Sequence, residues 1–125
     1  MSADPTAMVD RAFLDSVRAM TPGPRSGGDL IRAGRSLTRA QALSIFDSQI
    51  GSRHLDLSAR WLRGRGKGYY TIGSSGHEGN AAVAAALRPG DPALLHYRSG
   101  GFYLARAQQA GHPGAIDDVM RGICA

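Results

Sequence analysis

The sequence predicts a mainly helical chain with one or two short strands, and three observations support this expectation. Apolar residues recur at helical intervals between positions 43 and 61, and alanine dominates positions 81–87. Positions 93–97 form a short apolar run between turn residues, which is typical of a buried strand. The chain is 125 residues long, which is enough for one domain with a modest core.

The first predicted element is a short amphipathic helix over residues 7–20, which Pro22-Gly23-Pro24 closes. The apolar residues that are spaced for one face of this helix are Met8, Val9, Ala12, Phe13, Val17 and Met20. Residues 21–36 are rich in Pro, Gly, Ser and Arg, so we expect an exposed, flexible linker there. Residues 1–36 are therefore expected to form an extension that precedes a domain at residues 37–125.

The strongest predicted helix begins after Thr38, whose side chain suits a helix N-cap. The apolar residues that recur at intervals of three, four and seven are Leu43, Phe46, Ile50, Leu57 and Trp61. This stripe is typical of a helix that packs against a core, so we expect these side chains to be buried. Asp56 lies four positions before Arg60, a spacing that allows a weak ion pair on the helix surface.

The later elements are predicted from glycine, alanine and short apolar runs. Glycines at residues 64–68 are expected to end the long helix, and Tyr69-Tyr70-Thr71-Ile72 is predicted to be a short extended segment. Residues 81–87 are predicted to be helical because alanine favours helices. The remaining predicted elements are a buried strand at residues 93–97, a helix from Gly100 to about residue 109 and a helix at residues 114–123.

The net charge of +5 invites a nucleic-acid interpretation, but the distribution of the cations argues against it. All of the 15 cations except Lys67 are arginines, and they are scattered along the chain. A surface that follows phosphates needs clustered cations, ideally with aromatic side chains that stack on bases. No apolar run approaches the ~20 residues of a membrane span, and the N-terminus lacks the pattern of a secretory signal. With a single cysteine, Cys124, the composition fits a reducing cytoplasm.

The glycine-rich segments do not match known phosphate loops or metal sites. Lys67 is followed by Gly68 and not by the Ser or Thr of a Walker loop, and Gly73, Gly76 and Gly79 miss the dinucleotide-binding spacing. His77 and Glu78 are adjacent and have no metal-binding partner at helical spacing. We therefore predict no catalytic residue and no metal ligand from these segments.

Glu78 is the only glutamate in the chain, and it lies among glycines where the alanine-rich helix is expected to begin. A carboxylate in the first turn of a helix accepts hydrogen bonds from free amides and meets the positive end of the helix dipole. Glu78 is therefore predicted to cap this helix.

Tyr97 and Arg98 follow the predicted strand and precede Ser99-Gly100-Gly101. A guanidinium matches phosphate oxygens, a tyrosine adds a hydroxyl donor, and glycines permit close approach of the backbone to an anion. This pattern predicts an anion site. The alternative is an arginine that reaches from a strand end into solvent and has no ligand.

Residues 68–106 resemble the N-terminal region of the alpha subunit of thiamine-diphosphate-dependent 2-oxoacid dehydrogenases, a family that includes the pyruvate and branched-chain enzymes. The matching pieces are Gly76-His77-Glu78-Gly79, Leu87-Arg88-Pro89, Asp91, Tyr97-Arg98 and Ala105-Arg106. Residues 37–62 are similar to the helix that precedes this region in the family. The variant found here most resembles a bacterial subgroup in which alpha and beta portions can be fused.

The resemblance implies an α/β thiamine-diphosphate-binding fold, of which residues 37–125 would be an incomplete and mostly helical N-terminal part. It implies that Tyr97 and Arg98 contact the diphosphate of thiamine diphosphate, which binds together with magnesium. The implied reaction is oxidative decarboxylation of a 2-oxoacid with acyl transfer to a lipoyl group. The implied partners are a beta subunit or fused beta portion and a lipoyl acyltransferase component.

The sequence departs from the family in its metal site, because the magnesium motif Gly-Asp-Gly with a downstream Asn does not occur, and Gly90-Asp91-Pro92 does not supply it. This departure predicts a truncated or split protein that is inactive alone, and marginally stable or oligomeric because apolar surface stays uncovered. Two alternatives remain open, namely a fragment of a transketolase-like thiamine enzyme and a non-catalytic interaction module.

Overall fold

The computed structural model describes residues 5–21, 23–69 and 73–125, except for the side chains of residues 5–7. Within these residues the fold consists of five α-helices, with one isolated β-bridge between Leu30 and Thr38 and no strand. The helices are α1 (Pro5–Ala19), α2 (Arg39–Gly64), α3 (Asn80–Ala86), α4 (Gly100–Gln109) and α5 (Ala115–Cys124). The prediction of a mainly helical chain is confirmed, and each predicted helix is present.

The start of α2 is fixed by a reciprocal cap. The Thr38 hydroxyl accepts a hydrogen bond from the Gln41 amide at 3.2 Å, and the Gln41 side chain accepts one from the Thr38 amide at 2.9 Å. These two bonds satisfy amides that a helix N-terminus otherwise leaves unpaired. The predicted cap at Thr38 is therefore confirmed. At the other end, Gly66 has a φ of 67°, a left-handed conformation that stops the helix.

The core lies between α2 and the three helices that follow it. The buried face of α2 consists of Ser48, Ser52, Leu55 and Ala59. One apolar cluster joins Leu55 to Leu104, Ala107 and Ala115, and a second joins Ala81, Ala84, Phe102 and Ala105. Most of these side chains are small, so the helix backbones approach closely. A Cβ atom on Gly51, for example, would lie 2.8 Å from Leu104 Cδ1.

The bulky stripe of α2 is exposed, so the prediction that it packs into the core is wrong. Leu43 is 66% exposed and Trp61 is 57% exposed, and the same holds for the stripe residues between them. The physical reason is that α2 has apolar side chains on two opposite faces, and the face with small residues allows the closer packing. Exposure of this stripe agrees with the expectation that apolar surface stays uncovered.

The predicted buried strand at residues 93–97 is also absent. Residues 93–96 belong to no strand in the described part of the chain, Tyr97 lies in a turn, and Leu94 is fully exposed. A strand needs a neighbour that satisfies its backbone hydrogen bonds, and a short apolar run does not supply one. The other predicted extended segment is residues 69–72, and its residues 70–72 lie outside the described residues.

The α1 helix stands apart from the helices described above. It contacts none of the other four, and its apolar side chains, among them Met8, Val9 and Phe13, are exposed. The segment after it is attached to the start of α2, because the Asp29 carbonyl accepts from the Arg39 amide and the Gly27 carbonyl accepts from the Ala40 amide, both at 2.9 Å. Among the described residues, no helix is long and apolar enough to cross a membrane.

Candidate functional site

The candidate site lies where α2, the loop before α3 and the turn before α4 meet. The α2 helix contributes Ser52, Arg53 and Asp56, and the loop at residues 73–79 contributes Ser74. The turn before α4 carries Tyr97 and Arg98. The structure therefore brings the two residues predicted to bind diphosphate next to a polar network that the sequence did not indicate.

Asp56 is the centre of this network. Its Oδ2 atom accepts hydrogen bonds from the Ser74 amide at 2.8 Å, from the Ser74 hydroxyl at 2.9 Å and from Arg53 Nη1 at 2.8 Å. The Ser74 hydroxyl also lies 2.7 Å from the Ser52 hydroxyl, and both serines are buried. Because Ser74 donates its proton to Asp56, the Ser52 hydroxyl is the donor to Ser74. Asp56 thus fixes the loop before α3 onto α2.

Arg53 extends the network to Glu78. Its Nε atom lies 3.4 Å from Glu78 Oε1, and Glu78 Oε2 accepts a hydrogen bond from the Gly76 amide at 2.8 Å. The predicted capping role of Glu78 is wrong, because Gly79 is the N-cap of α3 and no side chain caps this helix. Glu78 precedes the helix, and its carboxylate turns back to the loop instead of forward to the first-turn amides.

The ion pair on this part of α2 differs from the predicted one. Asp56 pairs with Arg53, three positions before it, instead of with Arg60. The spacing alone did not distinguish the two arginines, since both lie within one turn of Asp56. Two residues from elsewhere in the chain favour the pair with Arg53. Glu78 places a second carboxylate beside Arg53, and the Ser74 amide donates to Asp56.

Arg98 connects the turn before α4 to the same loop. Its Nη1 atom donates a hydrogen bond to the Gly73 carbonyl at 2.9 Å, and its guanidinium carbon lies 5.2 Å from the centre of the Tyr97 ring. A guanidinium has five N–H donors, and the other donors of Arg98 make no hydrogen bond within the described residues. Tyr97 is half exposed. Arg98 therefore keeps guanidinium donors that no described residue accepts from.

The glycines after Arg98 serve helix packing. A Cβ atom on Gly100 would lie 2.7 Å from Ser52 Oγ, and one on Gly101 would lie 3.0 Å from Glu78 O. Both glycines therefore face α2 and the loop before α3. Close helix packing is therefore a reason for glycine at both positions.

Replacing Gly100 with alanine is expected to destabilise the protein by about 1–3 kcal/mol, because the added methyl group would displace the buried Ser52 hydroxyl from Ser74. Urea denaturation measures this change. Gly90 is the matched control, since a Cβ atom there would meet nothing within 4 Å. Equal losses for Gly100→Ala and Gly90→Ala would contradict the close packing of α4 on α2.

A small cavity of about 90 Å³ adjoins the network and is lined by Ser52, Asp56, Ser74, Tyr97 and Gly100 among others. Pockets that enclose whole cofactors measure about 300–1,000 Å³. This cavity is therefore too small to enclose a whole cofactor. The described residues also contain no group of three or more His, Cys, Asp or Glu side chains that could hold a metal ion.

Comparison with known proteins gives no relative for this chain. No family model, no curated protein and no solved structure matches it. The resemblance to 2-oxoacid dehydrogenases therefore stays a prediction that rests on the sequence motifs.

Proposed function

We propose that this chain is part of a thiamine-diphosphate-dependent 2-oxoacid dehydrogenase and contacts the cofactor's diphosphate through Tyr97, Arg98 and the start of α4. The observation that supports this proposal is the arrangement of Arg98, whose guanidinium is held by the Gly73 carbonyl beside the ring of Tyr97 while its other donors stay available. A guanidinium that is held before the ligand arrives loses less conformational freedom on binding, so it suits a phosphate group.

The start of α4 adds to the attraction for an anion. The Ser99 hydroxyl accepts a hydrogen bond from the His96 amide at 3.1 Å, and no side chain caps α4. The first amides of this ten-residue helix have no acceptor within the helix and lie at the positive end of its dipole. In this proposal Arg98 neutralises the diphosphate, Tyr97 orients it, and the start of α4 contributes positive potential.

The remaining parts of the reaction are assigned to other polypeptides. When bound, thiamine diphosphate supplies the nucleophilic carbon that makes decarboxylation of a 2-oxoacid possible, and this chain only binds and orients it. The sequence has no Gly-Asp-Gly motif, so in this proposal the magnesium ligands lie outside this chain, and a beta subunit or fused beta portion is its partner. A lipoyl acyltransferase component would accept the acyl group, and the complex would work in the cytoplasm.

The proposal is tested by calorimetric titration of the purified chain with thiamine diphosphate, pyrophosphate and thiamine in the presence of Mg²⁺. If Tyr97, Arg98 and the start of α4 recognise the diphosphate, thiamine diphosphate and pyrophosphate should bind and compete with each other. Thiamine, which has no phosphate, should bind more weakly or not at all. Binding of thiamine with the same affinity as thiamine diphosphate, or no binding of either phosphate ligand, would overturn the proposed recognition.

We expect no 2-oxoacid dehydrogenase turnover from the purified chain alone, because the chain lacks the magnesium motif. The measurement is release of carbon dioxide from pyruvate and from a branched-chain 2-oxoacid, with thiamine diphosphate, Mg²⁺ and an artificial electron acceptor present. Release that depends on thiamine diphosphate and exceeds a protein-free control would show that the chain needs no partner.

A non-catalytic interaction module is the second candidate function. The observation that favours it is the exposed stripe of α2, which includes Leu43, Phe46 and Trp61. Contiguous apolar surface of this kind marks protein interfaces. This function predicts an association that does not change when thiamine diphosphate is added.

A further inference from the structure

Two apolar surfaces of this chain have no cover in the structure. The first is a groove of about 430 Å³ beside the start of α2, called here the α2 groove. Its apolar lining includes Ile31, Leu43 and Phe46, which are all about half exposed or more. Arg25 and Arg39 also line it, so the groove combines an apolar floor with two guanidinium groups.

The second surface is the apolar face of α1. Asp10 precedes Val17 by seven positions, and Asp15 follows Met8 by seven. Residues seven apart lie about 20° apart around a helix, so the two carboxylates border the apolar face on its two sides. Arg11 and Arg18 are also seven apart, on the face opposite the apolar one. The α1 helix thus presents an apolar strip with acidic edges.

We propose that α1 of one copy of this chain docks into the α2 groove of a second copy. The two surfaces are complementary in hydrophobicity and in charge, since Arg25 lines the groove and Asp10 borders the helix strip. Within one chain Arg39 lies near Asp29 and Asp15 pairs with Arg18, so Arg25 and Asp10 carry the charge argument. In a dimer with two-fold symmetry each chain contributes one α1 helix and one α2 groove, so both helices and both grooves are covered. This inference does not depend on the proposed cofactor site.

The position of α1 favours docking into the groove of a second copy over docking into the groove of its own chain. Arg25, Ser26 and Gly27 line the groove, and α1 ends at Ala19, so only residues 20–24 separate the helix from the groove. The chain would have to reverse direction within these residues to place its own α1 in its own groove. In the structure α1 contacts no other described helix, and its apolar side chains are exposed. A helix from another copy has no such restriction.

The test is sedimentation equilibrium of the full chain over a concentration series, with substitutions on each surface. Phe13→Ser, on α1, and Phe46→Ser, in the groove, should each raise the dimer dissociation constant by at least about tenfold. Val83→Ser is the control, since Val83 is as exposed as Phe46 but lies on α3, outside the groove. Circular dichroism shows whether each variant keeps its helices.

Mixing the two variants gives the decisive measurement. A heterodimer of the Phe13→Ser and Phe46→Ser chains has one unaltered helix–groove contact and one contact that carries both substitutions, whereas each variant homodimer has two altered contacts. Because two substitutions in the same contact cost less than their sum, the mixture should dimerise more strongly than either variant alone. A wild-type chain that is monomeric at every concentration would overturn the proposal. A dimer that Phe13→Ser leaves unchanged would also overturn it, because another surface would then form the interface.

Discussion

Replacing Asp56 with alanine is expected to lower the free energy of unfolding by about 2–4 kcal/mol. The substitution removes one acceptor from three donors at once, namely the Ser74 amide, the Ser74 hydroxyl and Arg53 Nη1. Asp56 has a side chain that is 11% exposed, so water replaces these bonds poorly. The loss is a large share of the total stability of a small domain.

The measurement is urea denaturation followed by circular dichroism, with Asp47→Ala as the control. Asp47 lies on the same helix, is exposed and accepts one hydrogen bond from Gln108 Nε2 at 2.9 Å. Its replacement should cost no more than about 1 kcal/mol. Asp56→Asn should fall between the two, because an amide oxygen still accepts a hydrogen bond but carries no charge. Equal losses for Asp56→Ala and Asp47→Ala would show that the network does not stabilise the fold.

The features that the sequence predicted correctly are those decided by neighbouring residues. The cap at Thr38 depends on Gln41, only three positions away, and the helical character of α3 depends on its alanines. The Asp56–Ser74 hydrogen bond joins residues 18 positions apart, and the Arg98–Gly73 bond joins residues 25 positions apart. No local pattern fixes which distant residues meet, so these contacts could not be predicted.

The error about the burial of the α2 stripe has a physical cause on the opposite face of the same helix. The stripe from Leu43 to Trp61 was expected in the core because bulky apolar residues at helical spacing usually pack there. The opposite face of α2 carries Ser48, Ser52 and Ala59, and these small side chains let α4 approach more closely. Small residues at the same spacing were a signal in the sequence for that contact face. The exposed segment at residues 93–97 likewise shows that an apolar run alone does not specify a strand.

The position of Tyr97 and Arg98 was predicted in part. Both were expected before a helix that begins at Gly100, and α4 does begin there. The tether from Arg98 to Gly73 was not expected, and neither was the contact of Gly100 with Ser52. Together these contacts fix the turn before α4 on the loop before α3. Diphosphate binding by this turn is therefore best tested on Arg98 itself.

Replacing Arg98 with alanine is expected to weaken binding of thiamine diphosphate by about ten- to a hundredfold, because a charge-assisted hydrogen bond contributes roughly 1.5–3 kcal/mol. Arg98→Lys should recover only part of the affinity, since an ammonium group does not reproduce the two-pronged geometry of a guanidinium. Calorimetric titration in the presence of Mg²⁺ measures both effects. Because the substitution also removes the bond to the Gly73 carbonyl, urea denaturation checks that each variant stays folded.

The control for the loss of one positive charge is Arg18→Ala. Arg18 lies on α1, which contacts no other described helix, and its side chain is 73% exposed. Arg106 is unsuitable, because its Nη1 atom donates to the carbonyls of Arg88, Pro89 and Asp91 and its removal would disturb the fold. If Arg98→Ala and Arg18→Ala weakened binding equally, the effect would be one of net charge. If Arg98→Ala left the affinity unchanged, Arg98 would only join the turn before α4 to Gly73, and the proposed cofactor role would be wrong.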